Sequence, residues 1–315
     1  IRQHVITALL VGMTAYSLSF FIPVLPVVAG TCGVSNCSGG SPWSAVSPSF
    51  NDVNYCVSIC ASSGDTVVVP AGVATWSSKL LITKGITLMG PGADKLTIIS
   101  NYVATSPTTT WADGNFLVTY RPNAALNEPF RLTGFTFDLN GKCGGVFLDN
   151  PTVKAINKIR IDHNVFKNAK TPVGTMRAVC VRGTIYGVID SNTFVDNAKC
   201  IDSYGVNETS WGNLSFSYGG SDNIYYEDNV FYLTTTPHSG GAGGRYVARY
   251  NTYYYDAGGL YPWFDAHGNQ EGANLATMGV EIYGNYINHG YPTSGVTLIA
   301  HRGGKAAVFN NNIES

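Results

Sequence analysis

At 315 residues, the chain is long enough for one or two domains with a large buried core, which argues against intrinsic disorder. Asp, Glu, Lys and Arg make up only 12% of it, about half the usual ~25%, and this excludes helical surfaces built from Glu and Lys. A formal net charge of -1 supplies no basic field for phosphates and speaks against nucleic acid as a partner.

Residues 5–29 carry no charge and follow Arg2 and His4. This pattern is read as an export signal cleaved after Ala29, with a retained apolar anchor or filament-forming helix as the alternative. An extracellular or cell-surface location is therefore expected, with a membrane partner only if the segment is kept. Residues 30–62 are expected to form a Cys-containing linker and a cap. Within them, Ser49 and Asp52 make a capping-box-like pair ahead of Val53, Val57 and Cys60 on one helical face. Cys32, Cys37, Cys56 and Cys60 could staple this region in an oxidising compartment, in a pairing the sequence does not fix.

From residue 63 onward, short β-rich runs broken by Gly and Pro follow one another: GDTVVVPAG at 64–72, LLITKGITLMGPG at 80–92 and KLTIIS at 95–100. Then comes a repeat in which a short apolar strand ends in Asn, at Asn164, Asn192, Asn229, Asn251, Asn285 and Asn311, with intervals of 22 to 37 residues. Irregular excess over a minimum period is what a solenoid of three-stranded coils gives when loops enter at some corners. Asn tolerates left-handed backbone, and its amide can bond the same residue in the next coil, making a ladder. The expected fold is all-β, a right-handed parallel β-helix over 63–315 with a short N-terminal capping helix. Because the chain stops at Ser315 directly after a repeat turn, a C-terminally truncated β-helix is also expected.

Two residues before each ladder Asn stand Asp162, Asp190, Glu227, Arg249, Tyr283 and Phe309; three before stand Ile161, Ile189, Tyr226, Ala248, Ile282 and Val308. Strand alternation sends the aliphatic set inward and the charged set outward. Glu227 and Arg249 would then pair, whereas adjacent Asp162 and Asp190 would repel unless a cation sits there, which makes calcium a candidate ligand. Cys180 and Cys200, on successive coils, could be a disulfide or two buried thiols.

The strands, with RLTGFTFDLNG at 131–141 and the six Asn-terminated repeats, resemble the right-handed parallel β-helix proteins of the pectate-lyase-like superfamily over about residues 49–315. That resemblance implies the fold. It leaves activity open among polysaccharide lyases, glycoside hydrolases, phage tailspikes and noncatalytic surface proteins. The densest polar set comes late: Asp265, His267, Glu281, His301, Arg302 and Lys305. In a lyase, His267 or Lys305 would take the proton beside a uronate carboxylate, and Arg302 or Arg245 would stabilise the enolate-like intermediate. In a hydrolase, Asp265 and Glu281 would be the two carboxylates. The plain alternative is that Asp265 and His267 order a turn and Arg302 caps a strand or pairs with Glu281. Tyr253, Tyr254, Tyr255, Tyr261 and Trp263 precede this set, and Tyr261 and Trp263 in a loop are expected to contact sugar rings, with Arg245 and His301 as further binding groups. The expected function is binding, with cleavage as an added step, of an extended polysaccharide; a noncatalytic adhesin or structural role is the alternative.

Overall fold

A computed structural model describes residues 29–106, 112–170, 176–206, 211–232, 236–254, 263–269, 274–288 and 297–314. The apolar segment up to residue 28 and Tyr261 lie outside the described residues. Strands fall into three sheets of 12, 9 and 8 members, each coil giving one strand to each sheet in turn. Coil neighbours pair in parallel, as in Phe130–Thr133 beside Ile156–Asp162 and then Ile185–Asp190. The chain is a parallel β-helix.

The interior is set by strand parity. In the first sheet Ile161, Ile189, Tyr226, Ala248 and Ile282 share one register and are all buried. In the second sheet the second residue after Asn164, Asn192, Asn229, Asn251 and Asn285 is buried, and Phe137 holds the same register one coil earlier. Phe137, Phe166, Phe194, Phe231 and Tyr253 stack with ring centroids 5.5, 5.4, 4.8 and 4.7 Å apart. Each such ring contributes roughly 1.5–3 kcal/mol by leaving water, and the coil spacing lets the rings lie in offset stacks. The third sheet turns Val118, Val146, Val179, Ile201, His238 and Phe264 inward.

The Asn ladder forms as expected. Each amide Nδ2 donates to the Oδ1 of the next coil's Asn, at 3.1 Å for Asn164 to Asn192, Asn192 to Asn229, Asn229 to Asn251 and Asn251 to Asn285, and 2.9 Å for Asn285 to Asn311. Each backbone N–H donates to the same Oδ1, and Phe135 N starts the series on Asn164. Left-handed backbone, however, belongs to the residue before each Asn: His163, Ser191, Asp228, Tyr250, Gly284 and Asn310 have φ between 52° and 66°. The Asn is retained for its amide. Its burial at a corner where strands end would otherwise orphan backbone donors.

The N-terminal end differs from the expected linker. Ala29–Gly33 and Gly40–Ala45 are strands that extend the first sheet through Thr66–Val68, and Asn36–Ser38 pairs antiparallel outside them. The helix begins as expected: Ser49 accepts from Asp52 N at 3.2 Å, and Phe50–Tyr55 passes into a π-helical turn, Cys56–Cys60, burying Val53, Cys56 and Val57. Two disulfides, Cys32–Cys56 and Cys37–Cys60, fasten it to the strands. Cys180 and Cys200 form no such bond. Cys180 lies opposite Asp202 in the register, two positions beyond Cys200, and Cys143, Cys180 and Cys200 are buried thiols. No helix among the described residues is long and apolar enough to cross a membrane.

Candidate functional site

Because Phe264 packs inward against His238 and Tyr253, its neighbour Asp265 faces the outside of the third sheet. There it meets two of the residues the sequence singles out. Arg302 Nη2 donates to Asp265 Oδ1 at 2.8 Å and Oδ2 at 2.7 Å, and His267 Nε2 lies 2.8 Å from Oδ2. Arg302 Nη2 is also 2.8 Å from His267 Nδ1. Burial raises the Asp265 pKa, but the bonds from His267 and Arg302 outweigh it and hold the carboxyl below its ordinary range. A guanidinium can only donate, so Nδ1 must accept and the ring proton sits on Nε2, which is buried beside the carboxylate without a well-aligned hydrogen-bond acceptor. Neither imidazole nitrogen is left open to take a proton from a substrate.

The remaining candidates disperse. Glu281 belongs to the first sheet, where its Oε1 accepts from Gly219 N at 2.9 Å; it is not beside Asp265, and the two-carboxylate arrangement of a hydrolase is not assembled from this pair. Arg245 is fully buried and donates to the carbonyls of Ser215, Trp211 and Leu214 at 2.7, 2.9 and 2.8 Å. With Phe216 seated on Gly279 and Tyr225 Oη on the Gly220 carbonyl at 2.7 Å, Arg245 and Glu281 pin the 211–223 segment over the outer face of the first sheet. Neither can reach a ligand there. Trp263, expected as an exposed loop contact, is 1% exposed and packs near Tyr253. Lys305 is exposed on the last first-sheet strand, and exposed His301 has Nε2 3.2 Å from the Gly304 carbonyl.

The outer face of the first sheet carries a second polar assembly. Asp162, Asp190, Glu227 and Arg249 stand in register as expected, and Arg249 Nε donates to Glu227 Oε2 at 2.6 Å. The two aspartates need no cation to coexist. Arg131 donates from Nε and Nη2 to Asp162 at 2.8 and 2.6 Å, and Arg160 from the same atoms to Asp190 at 3.0 and 2.8 Å. Each Arg reaches one coil forward, so cation and anion alternate diagonally. His163 Nδ1 is 2.8 Å from Asp162 Oδ2, the oxygen Arg131 also uses. Burial works to raise the Asp162 pKa, yet the Arg131 and His163 bonds and the charges of Arg131 and Arg160 hold it low. Among the described residues no group of three or more His, Cys, Asp or Glu side chains could hold a metal ion, and at Asp162 and Asp190, the expected calcium site, arginines occupy the carboxylates. Arg131 and Arg160 escaped the sequence reading because each partner sits in another coil; the Arg-x-Asp spacing in Arg160-Ile161-Asp162 was the available signal.

The aromatics divide by parity as well. Tyr253 is core, while Tyr232 and Tyr254 stack outside at 5.1 Å with 9° between rings. A parallel stack turns its faces to itself and its edges to solvent, a poor platform for a sugar ring. On the third sheet, Asp149 accepts from Arg121 Nε at 2.6 Å and Arg182 Nε at 2.7 Å, and buried Arg177 pairs with Asp202. None of these pairs is visible in the linear pattern, because the partners lie 25 to 33 residues apart on neighbouring coils.

No family model matches the chain, and no curated protein matches it. Among solved structures it is similar to ORF18 of Geobacillus virus E2, with a TM-score of 0.43 and 15% identity over 75% of this chain. The chain spans 44% of that protein's length, and a likeness at this level carries no argument about activity.

Proposed function

We propose that this chain is an exported β-helix protein that binds an acidic polysaccharide along the outer face of its first sheet. One observation carries it: Arg131 and Arg160 each spend Nε and Nη2 on a buried aspartate and leave the rest of the guanidinium outside, with side chains 40% and 48% exposed. The carboxylates fix the two cations one coil apart, about 4.8 Å, so little side-chain freedom remains to be lost when a repeating anionic chain is bound. Two disulfides at the N-terminal end support an oxidising compartment. The superfamily resemblance belongs to the same proposal.

The test is affinity electrophoresis of the folded protein through gels containing polygalacturonate, alginate or neutral dextran. Retardation by an acidic polymer that weakens with added salt, and none by dextran, supports the proposal. Equal mobility in all gels refutes it.

A further inference from the structure

Resting on the binding proposal and deepening it, we infer that residues 211–223 are a strap that opens when the acidic polymer binds and uncovers Arg245 as a third cation of the first-sheet face. Two buried charges carry the inference. Arg245 is 0% exposed and Glu281 4% exposed, and both are bonded to the backbone of the strap. Arg245 donates to the Trp211, Leu214 and Ser215 carbonyls, and Glu281 accepts from Gly219 N. Among the described residues neither makes an ion pair, and the buried Arg245 Nε has no acceptor. Burial pushes the Arg245 pKa down. A desolvated guanidinium is held far better by a carboxylate, which takes two charge-assisted bonds, than by neutral carbonyls. Arg245 is thus an anion-binding group with no carboxylate on it.

Register joins this group to the proposed binding face. Arg160, Val188, Tyr225, Val247 and Glu281 follow one another in one outward file, and Arg245 stands in the file beside it, opposite Gly279. A polymer laid on Arg131 and Arg160 and continued along the axis runs into the strap, and Arg245 lies three coils, about 14 Å, beyond Arg160. The strap is lightly fastened between its buried ends, Trp211 and Asn223. Ser215, Ser217, Tyr218, Gly219, Ser221 and Asp222 are exposed, and Tyr225 Oη donates to the Gly220 carbonyl at 2.7 Å. Phe216 rests on the bare backbone of Gly279, where a Cβ would meet three of its ring atoms at 2.5–2.7 Å. The polymer contacts Arg245 only when the strap is open, and that bond is the differential interaction that shifts the equilibrium.

The experiment follows hydrogen exchange in peptides covering 211–223 of the full chain, alone and with polygalacturonate, alginate or neutral dextran. Gel retardation is measured in parallel for wild type, Gly279→Ala and the double variant Gly279→Ala with Arg245→Met. The new methyl at Gly279 displaces the Phe216 ring and opens the strap without removing a charge. The expected result is faster exchange of the strap with an acidic polymer that retards the protein, and no change with dextran. Gly279→Ala should bind at least ~10-fold more tightly, because an open state populated at about 10% or less lowers wild-type affinity by that fraction, and Arg245→Met should abolish the gain. Retardation of wild type with strap exchange unchanged or slowed overturns the strap and leaves the binding proposal standing, and this arm needs no variant to fold. No gain from folded Gly279→Ala, or a gain that survives Arg245→Met, likewise overturns the inference alone. No retardation of wild type or Gly279→Ala by any acidic polymer overturns both.

Discussion

Truncating one rung of the Asn ladder should cost far more than a surface change. In Asn229, Oδ1 accepts from Asn192 N at 2.9 Å and Asn192 Nδ2 at 3.1 Å, while Nδ2 donates to the Ile189 carbonyl at 2.8 Å and Asn251 Oδ1 at 3.1 Å. With Asn229→Ala, Asn192 Nδ2 keeps the carbonyls of Ile161 and Asp190, and Asn251 Oδ1 keeps Asn229 N. The Asn192 backbone N–H loses its acceptor, and the Ile189 carbonyl loses one bond. Both sites are buried, with Asn192 and Asn229 each 1% exposed. An orphaned buried donor costs roughly 1–3 kcal/mol and a lost bond about 1 more, so about 2–4 kcal/mol is expected. Guanidinium unfolding followed by far-ultraviolet circular dichroism measures it, with Asn312→Ala, exposed on the last second-sheet strand, changing stability by at most about 0.5 kcal/mol. A cost below about 1 kcal/mol for Asn229→Ala, or one equal to that of Asn312→Ala, would refute the reasoning.

The interior His238 predicts a pH response: burial pushes its pKa down to about 3, so the fold holds it neutral while the unfolded chain takes up a proton below about 6.5. Stability is then full above that value and falls as pH drops toward 3, by up to ~1.4 kcal/mol per unit; His238→Gln should flatten the slope between pH 6 and 4.5, measured by urea midpoints, and an unchanged slope contradicts the assignment. Arg177→Met should destabilise by about 3–5 kcal/mol by stranding Asp202 in the buried pair. The double variant Arg177→Met with Asp202→Leu should recover most of that loss in the same assay. Cys56→Ser, which opens the Cys32–Cys56 bridge across a separation of 24 residues, should cost about 3 kcal/mol, read as a fall in thermal midpoint that reductant, which also opens Cys37–Cys60, exceeds in wild type.

Legibility in the sequence followed how far a residue's fate depends on its own strand. The ladder and the column of Asp162, Asp190, Glu227 and Arg249 could be read because parity and a fixed strand end decide them. The partners of that column could not, since Arg131 and Arg160 act one coil away, across about 30 residues of chain. Trp263 failed for a related reason: near Gly and Pro it looks like loop, yet it borders Phe264, and the corner folds it inward. Arg245 and Glu281 have the side chains of a catalytic site, and only the 211–223 segment laid over the first sheet shows that they hold backbone instead. His163 passed unnoticed because left-handed corners accept His, Ser, Asp, Tyr, Gly and Asn alike, so no residue type marks the position.

Which outer face holds the polymer is decided by comparing salt-dependent retardation of wild type, Arg160→Gln and Arg302→Gln in gels of the acidic polysaccharide bound best. Binding along the first sheet predicts about ten-fold weaker affinity for Arg160→Gln, the loss of one charge-assisted bond, and unchanged affinity for Arg302→Gln. Weakening by Arg302→Gln with Arg160→Gln intact would contradict this and move the site to Asp265, His267 and Arg302 on the third sheet.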